Sequence, residues 1–242
     1  RLSEYTDSIP KPMVTIGEKP IIHHIMQIFA DYGHKEFLIA LGYKGEKIKE
    51  YFINQKNLSS DLSIDLSTGK INYLQSNNFD WIVKLIDTGL KTMTGGRIKR
   101  LEDKLKNEKF FLTYGDGISN VNIDSLLDFH NQHGKWVTIT AVRPNARFGE
   151  LKINNGKIDS FEEKPQLQEG WINGGFMVIE PEFLSLIKDD NTMLERYPLT
   201  EAARRGELMA YCHEGFWQCM DNKRDLKLLN EMFKRGDTPW IK

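Results

Sequence analysis

Apolar positions along the chain recur with two periods, and the periods alternate. Over residues 19–33 they fall at Ile21, Ile22, Ile25, Met26, Phe29 and Tyr32, the stripe of a helix, with Pro20 at the start and Gly33 at the stop. Residues 36–41 form a short apolar run before Gly42 and read as a buried strand. Residues 44–54 are helical again. Downstream the pattern predicts strands over 83–87, 110–114, 136–143 and 172–180, and helices over 97–105, 123–133, 199–206 and 222–235. This alternation predicts an α/β fold: a Rossmann-like, mostly parallel mixed sheet with helices on both faces. No repeat or linker interrupts it, so residues 1–242 read as one domain. Segment 144–170 is richer in Gly, Pro, Asn and charge, as a lid or small insertion would be. Ligands in such sheets bind beyond the carboxyl ends of the strands. Chemistry is therefore expected at Gly42-Tyr43-Lys44, Asp87-Thr88-Gly89, Gly115-Asp116-Gly117 and the opening segment.

Composition narrows the partners. With 33 basic and 34 acidic residues the formal net charge is −1, so no overall field draws nucleic acid or an anionic membrane, although a local basic pocket remains possible. No run approaches the roughly 20 apolar residues of a membrane helix. No signal peptide is visible, and the chain opens at Arg1. Two cysteines, Cys212 and Cys219, lie in strand-like sequence and make no disulfide framework. A cytoplasmic setting is expected.

Candidate chemistry lies in short phrases at predicted loops. In Ile9-Pro10-Lys11-Pro12-Met13 two prolines stiffen the backbone around Lys11 and fix where its ammonium points. Arg1 could meet the same anion, such as a triphosphate; a solvated turn is the plain alternative. Tyr114-Gly115-Asp116-Gly117 ends a strand with a hard carboxylate of the kind Mg2+ prefers, or with an ordinary type I turn. Gly215-Phe216-Trp217-Gln218-Cys219-Met220-Asp221 precedes the last helix, where Asp221 is also placed to act as N-cap. Asp87-Thr88-Gly89 leads into Thr92-Met93-Thr94-Gly95-Gly96-Arg97, whose glycine pair opens a helix with an anion-attracting N-terminus. Phe161-Glu162-Glu163-Lys164-Pro165 reads plainly as a charged loop, and Ile172-Asn173-Gly174-Gly175-Phe176 as a β-bulge or turn.

Taken in order, over almost the whole chain, these phrases resemble the sugar nucleotidyltransferase family. R-L-S-E-Y-T-D-S-I-P-K-P-M is similar to the second half of the family signature G-G-x-G-T-R-L-x(n)-P-K-P. The glycine-rich half and the strand before it are not in the sequence, and the family pattern implies that a functional enzyme has them. The resemblance implies the nucleotide-diphospho-sugar transferase fold. It implies Mg2+ held by Asp116 and Asp221, with Arg1 and Lys11 as catalytic cations on the triphosphate. It further implies nucleotide contacts from Thr88, Gly89, Gly95, Arg97 and Asp116. Sugar-phosphate contacts would come from Tyr114, Glu163, Lys164, Asn173 and Gly174. Residues 144–242 would thus carry the sugar side and the second metal ligand.

The phrase D-T-G-x-x-T-M-T-G-G-R resembles the cytidylyltransferase branch more than the thymidylyl, uridylyl or adenylyl branches. The implied reaction is CTP plus α-D-glucose 1-phosphate giving CDP-glucose and pyrophosphate, with UTP, dTTP, GTP or ATP as alternative donors. A homo-oligomer, and a place in supplying sugars for surface polysaccharide such as O-antigen, are implied in the same way. The rivals are a regulatory nucleotide-sugar-binding domain without catalysis, a glycosyltransferase, and an NAD-dependent oxidoreductase, for which no G-x-G-x-x-G is present.

Other residues read plainly. His130 and His133, spaced i, i+3, lack an evident third metal ligand and read as a solvated helix end. His23 and His24 read as packing or surface residues. Trp136, Trp171 and Trp240 read as core, and Trp217 has neighbours that suit a site.

Overall fold

The computed structural model describes residues 7–76, 79–144, 150–154, 157–162 and 170–242. A short 3-10 turn, Lys11–Met13, leads into the hairpin β1 (Thr15–Ile16) and β2 (Lys19–Pro20). Helix α1 (Ile21–Ala30) follows, with Pro20 at its N-cap. Nine of its ten residues are buried, which makes it a core helix and not a surface one. Next come β3 (Glu36–Leu41), α2 (Gly45–Ser59), the hairpin β4 (Ser60–Asp65) and β5 (Lys70–Ser76), and β6 (Ile82–Asp87). Strands β3 and β6 pair in parallel.

Helices α3 (Thr94–Arg100) and α4 (Glu102–Leu105) divide the predicted 97–105 helix at Leu101, whose φ and ψ of −101° and 2° are not helical. Then follow β7 (Phe110–Leu112), β8 (Gly117–Ser119), α5 (Ile123–His133), β9 (Val137–Val142), and the hairpin β10 (Glu150–Asn154) and β11 (Lys157–Glu162). The chain ends with β12 (Ile172–Ile179), α6 (Tyr197–Arg204), β13 (Leu208–His213), β14 (Trp217–Cys219) and α7 (Lys223–Lys234).

A four-stranded sheet runs β13-β9-β12-β7, with β13 parallel to β9 and β12 antiparallel to both its neighbours. Strand β12 explains the two-layer core. Phe176 and Val178 point into one cluster with Ile21, Ile25, Leu126 and Leu229; Met177 and Ile179 point into another with Phe183, Leu184, Leu199 and Ala202. Successive side chains alternate faces, so a central strand with both faces covered is apolar throughout. Each large side chain so buried contributes about 1.5–3 kcal/mol.

The first and last elements are joined directly. The Gly17 N–H donates to Asn230 Oδ1 at 3.0 Å, Asn230 Nδ2 donates to the Thr15 carbonyl at 3.4 Å, and a Cβ at Gly17 (φ 62°) would strike the Phe233 ring at 2.3 Å.

Several expectations need correction. Only Leu41 of β3 is buried: among the described residues β3 pairs with β6 alone, and a narrow ladder leaves its apolar run half-covered. The β4–β5 hairpin was not expected, although Leu62 and Ile64, and Ile71 and Tyr73, alternate with polar residues; its strands are largely solvent-exposed. Segment 144–170, read as a lid or small insertion, holds the β10–β11 hairpin, which does not contradict that reading. His130 is no solvated helix end: it is fully buried, with Nδ1 2.8 Å from Thr138 Oγ1 and Nε2 3.2 Å from Glu180 Oε1. Of the tryptophans, Trp240 is buried, while Trp171 is exposed beneath the Arg143 guanidinium, 4.4 Å from its ring centre.

Candidate active site

Strands β8 and β14 build the site. Their antiparallel ladder pairs Gly117 with Cys219, and one step beyond it Met220 N–H donates to the Asp116 carbonyl at 2.8 Å. Asp116 and Asp221, at the ends of two distant strands, therefore emerge side by side. Asn222 caps α7: its Oδ1 accepts from the backbone N–H of Arg224 at 2.9 Å and of Asp225 at 3.1 Å. Asp225 Oδ2 in turn accepts from the N–H groups of Asn222 and Asp221, at 3.2 and 2.9 Å. This capping box removes the capping role considered for Asp221 and anchors its backbone.

Lys11 completes the cluster. Its Nζ donates to Asp116 Oδ2 at 2.7 Å and to Asp221 Oδ1 at 2.5 Å. The ammonium reaches this point because the Pro10-Lys11-Pro12 turn lies against Gly115, where a Cβ would come within 2.8 Å of the Pro12 ring. Burial alone would lower the Lys11 pKa, but the hydrogen bonds to the two aspartates outweigh it and raise it. Cys219 joins the group: its Sγ and one oxygen from each aspartate all lie within 4.8 Å of one another. Burial, then the charges of Asp116 and Asp221, push its thiol pKa up, so it stays neutral. Its place in the cluster was missed, since a strand cysteine carries no motif.

A cavity of about 160 Å³ opens beside these residues, walled by Tyr114, Asn173, Gly174, Gly175 and Trp217. Trp217 Nε1 donates to the Gly174 carbonyl at 2.8 Å. A side chain at Gly174 would strike Val142 at 2.7 Å, and one at Gly175 (φ 83°) would strike the Tyr114 ring at 2.7 Å. The Asn173 amide is oriented: Oδ1 accepts from the Gly175 N–H at 2.8 Å, and Nδ2 lies 3.5 Å from the Tyr114 hydroxyl. That hydroxyl donates to Glu195 Oε1 at 2.7 Å, and burial first, then Glu195, raises its pKa. Glu195 carried no sequence signal, being one acid in a polar loop.

Thr88 and Arg97 form a second group, at the carboxyl ends of β3 and β6. Thr88 Oγ1 donates to the Leu41 carbonyl at 2.8 Å, and Arg97 Nη1 donates to that carbonyl at 3.0 Å and to Thr88 Oγ1 at 2.7 Å. Gly89 (φ 88°) turns the chain there, its N–H donating to Asp87 Oδ1 at 2.8 Å. Gly95 is a correction. It and Gly96 are buried against the 190–194 loop, where a Cβ would meet the Thr192 carbonyl at 2.7 Å or Asp190 Cα at 2.5 Å. The Gly96 N–H donates to the Thr192 carbonyl at 3.1 Å, so that donor at the start of α3 is taken by protein. Arg1, Glu163 and Lys164 lie outside the described residues.

The sequence profile of the family described as Nucleotidyl transferase matches residues 1–222, a span that holds Lys11, Asp116 and Asp221. The chain belongs to the nucleotidyl transferase family. This nucleotidyl transferase is 46% identical, over 241 residues, to the glucose-1-phosphate cytidylyltransferase of Salmonella typhimurium, covering 99% of this chain and 94% of that one. It is 43% identical over the same length to the probable glucose-1-phosphate cytidylyltransferase of Bacillus subtilis, with the same coverage. Its fold is similar to the crystal structure of HddC from Yersinia pseudotuberculosis, with a TM-score of 0.71 at 22% identity, covering 96% of this chain and 94% of that chain. No helix among the described residues of this nucleotidyl transferase is long and apolar enough to cross a membrane.

Proposed function

We propose that this nucleotidyl transferase joins CTP to α-D-glucose 1-phosphate, giving CDP-glucose and pyrophosphate. The observation that carries the reaction is the Lys11 ammonium bonded to both Asp116 and Asp221 at the mouth of a small cavity. The choice of base and sugar rests on the 46% identity to the Salmonella cytidylyltransferase.

The chemistry needs no protein nucleophile. The second pKa of a phosphate monoester lies near about 6, so glucose 1-phosphate is largely dianionic at neutral pH. One of its oxygens attacks the α-phosphorus of CTP in line; that O–P bond forms as the bond to pyrophosphate breaks. The protein's task is alignment and charge neutralisation. Tyr114, Asn173 and the Gly174 backbone form the wall against which the sugar sits. Lys11 steadies the charge that builds on the departing pyrophosphate. Arg1 and Lys164 are assigned to the two phosphate groups on the same logic. Thr88, Gly89 and Arg97 are assigned to the nucleotide, at the carboxyl ends of β3 and β6.

The donor set fits Mg2+. Two hard carboxylates already share one cationic partner, and their oxygens lie within 4.8 Å of each other, while the neutral thiol of Cys219 is a poor ligand for a hard ion. Asp116 and Asp221 would hold the metal, which when bound neutralises charge on the nucleotide phosphates. The proposal includes a cytoplasmic homo-oligomer supplying activated sugar for surface polysaccharide.

The test is a panel of CTP, UTP, dTTP, ATP and GTP with glucose 1-phosphate and Mg2+, scored as nucleotide sugar by chromatography. CDP-glucose is expected as the main product. No product with any donor would refute the reaction, and a different main product would refute the base.

A further inference from the structure

We propose that Glu195 is a positioning residue for the sugar-phosphate half of the site, acting through Tyr114. This rests on the reading that the Tyr114–Asn173 cavity takes glucose 1-phosphate. Glu195 sits in the loop before α6, and its two carboxylate oxygens are spent on two different parts of the molecule. Oε1 accepts from the Tyr114 hydroxyl at 2.7 Å, and Oε2 accepts from Thr94 Oγ1 at 2.7 Å. Thr94 is fixed in turn: its hydroxyl oxygen accepts the Leu194 N–H at 2.9 Å. One carboxylate side chain thus ties the first turn of α3 to the cavity wall. Bonds to a charged acceptor are short and directional.

The consequence falls on Asn173. The Tyr114 ring packs where Gly175 leaves room, and a Cβ there would lie 2.7 Å from ring carbon Cδ2. With its proton committed to Glu195, the Tyr114 hydroxyl presents lone pairs to the Asn173 amide, 3.5 Å away, while the other end of that amide accepts the Gly175 N–H. The donor face of Asn173 is thereby set before any sugar hydroxyl arrives. Without Glu195 the phenol is released, and the amide is held only by its bond from the Gly175 N–H. Such pre-orientation lowers the ordering cost of binding and acts on affinity more than on the chemical step.

The test is a double-mutant cycle on Glu195→Ala and Tyr114→Phe, with Glu195→Gln as the conservative variant. Calorimetry reads the Kd for glucose 1-phosphate, and thermal unfolding and kcat are measured alongside. Each single variant is expected to weaken sugar-phosphate binding on the order of tenfold, and the double variant by no more than about twofold beyond either single, because both act through one hydrogen bond. Glu195→Gln, which keeps a carbonyl for the Tyr114 hydroxyl, should recover most of the affinity. Losses that multiply to about a hundredfold in the double variant would overturn the proposal, since independent effects add in free energy. So would a lowered Tm with unchanged Kd, the mark of a purely structural residue. Because the Kd is read without turnover, a chain that binds glucose 1-phosphate and makes no CDP-glucose fails the reaction while leaving the Glu195 result intact.

Discussion

Asp221 and Asn222 are chain neighbours with separate duties: Asn222 caps α7, and Asp221 accepts from Lys11 at 2.5 Å. The cap frees the preceding carboxylate from helix duty and aims it at the site. Asn222→Ala should therefore harm two properties at once. Loss of the cap costs about 1 kcal/mol, which in a chain of this size lowers Tm by about 2–4 °C. Turnover should also fall, although Asn222 lies outside the assigned substrate contacts, because Asp221 loses its anchor. Asn222→Asp should restore both in calorimetry and in a pyrophosphate-release assay.

Asp116→Ala and Lys11→Ala should each abolish turnover while leaving the fold intact. Removing one fixed charge-stabilising group costs about 100- to 1,000-fold in kcat. Both side chains are partly exposed, so their ion pair adds little to stability. Near wild-type pyrophosphate release from either variant would refute the assignment, and an unchanged circular dichroism spectrum would exclude misfolding as the cause.

Gly96→Ala separates packing from anion binding. In an open helix this change stabilises by up to about 1 kcal/mol. Here the added methyl would sit 2.5 Å from Asp190 Cα and carbonyl oxygen, backbone atoms that cannot swing aside. Overpacking of this kind costs about 1–3 kcal/mol, so the urea midpoint should fall. A midpoint that rises would mean the loop is not seated on α3.

Acid should destabilise the protein through its buried histidines. Burial, reinforced by Lys19 and His24, pushes the His23 pKa down to about 3. The unfolded chain takes up the proton as pH falls below about 6.5, while folded His23 stays neutral until near pH 3. Stability contributed by the neutral ring is thus complete above pH 6.5 and lost as pH falls through that window. Between pH 7 and 5 the loss from this one group is about 2 kcal/mol. His24 and His130, also depressed chiefly by burial, act in the same direction. Urea unfolding of His23→Gln, which keeps an acceptor for the Tyr51 hydroxyl, should show a shallower pH dependence than the parent; an equal slope would contradict the assignment.

Much of this architecture was legible because burial writes a period into the sequence. The bounds of α5 match the apolar pattern, and β12 reads as a strand because Phe176 through Ile179 are buried on both faces. The hairpin β4–β5 left a fainter trace, the alternation of Leu62 with Ile64 and of Ile71 with Tyr73, on strands that stay largely exposed. At the site, Lys11 and Asp116 stand in phrases marked by proline and glycine, whereas Asp221 alone reads as a helix cap and is singled out only by the family resemblance. Glu195 has neither signal, since its importance lies in two hydrogen bonds to Thr94 and Tyr114, 101 and 81 positions away. The glycine pair at 95–96 misled for a related reason: close approach to a ligand and close approach to a neighbouring loop demand the same missing side chain.

The stitching of Gly17 and Thr15 to Asn230 has a consequence for how the protein comes into being. A ribosome threads the chain out from its amino end, so the β1 hairpin is born more than 200 residues before the helix that fastens it. Until α7 emerges, Gly17 faces no Phe233, and Asp221, the second carboxylate on Lys11, lacks its anchor in Asp225. Fastening therefore arrives late: a nascent chain halted short of α7 would carry Lys11, Asp116 and Asp221 but lack the helix that holds the β1 hairpin and the Asp221 backbone in place.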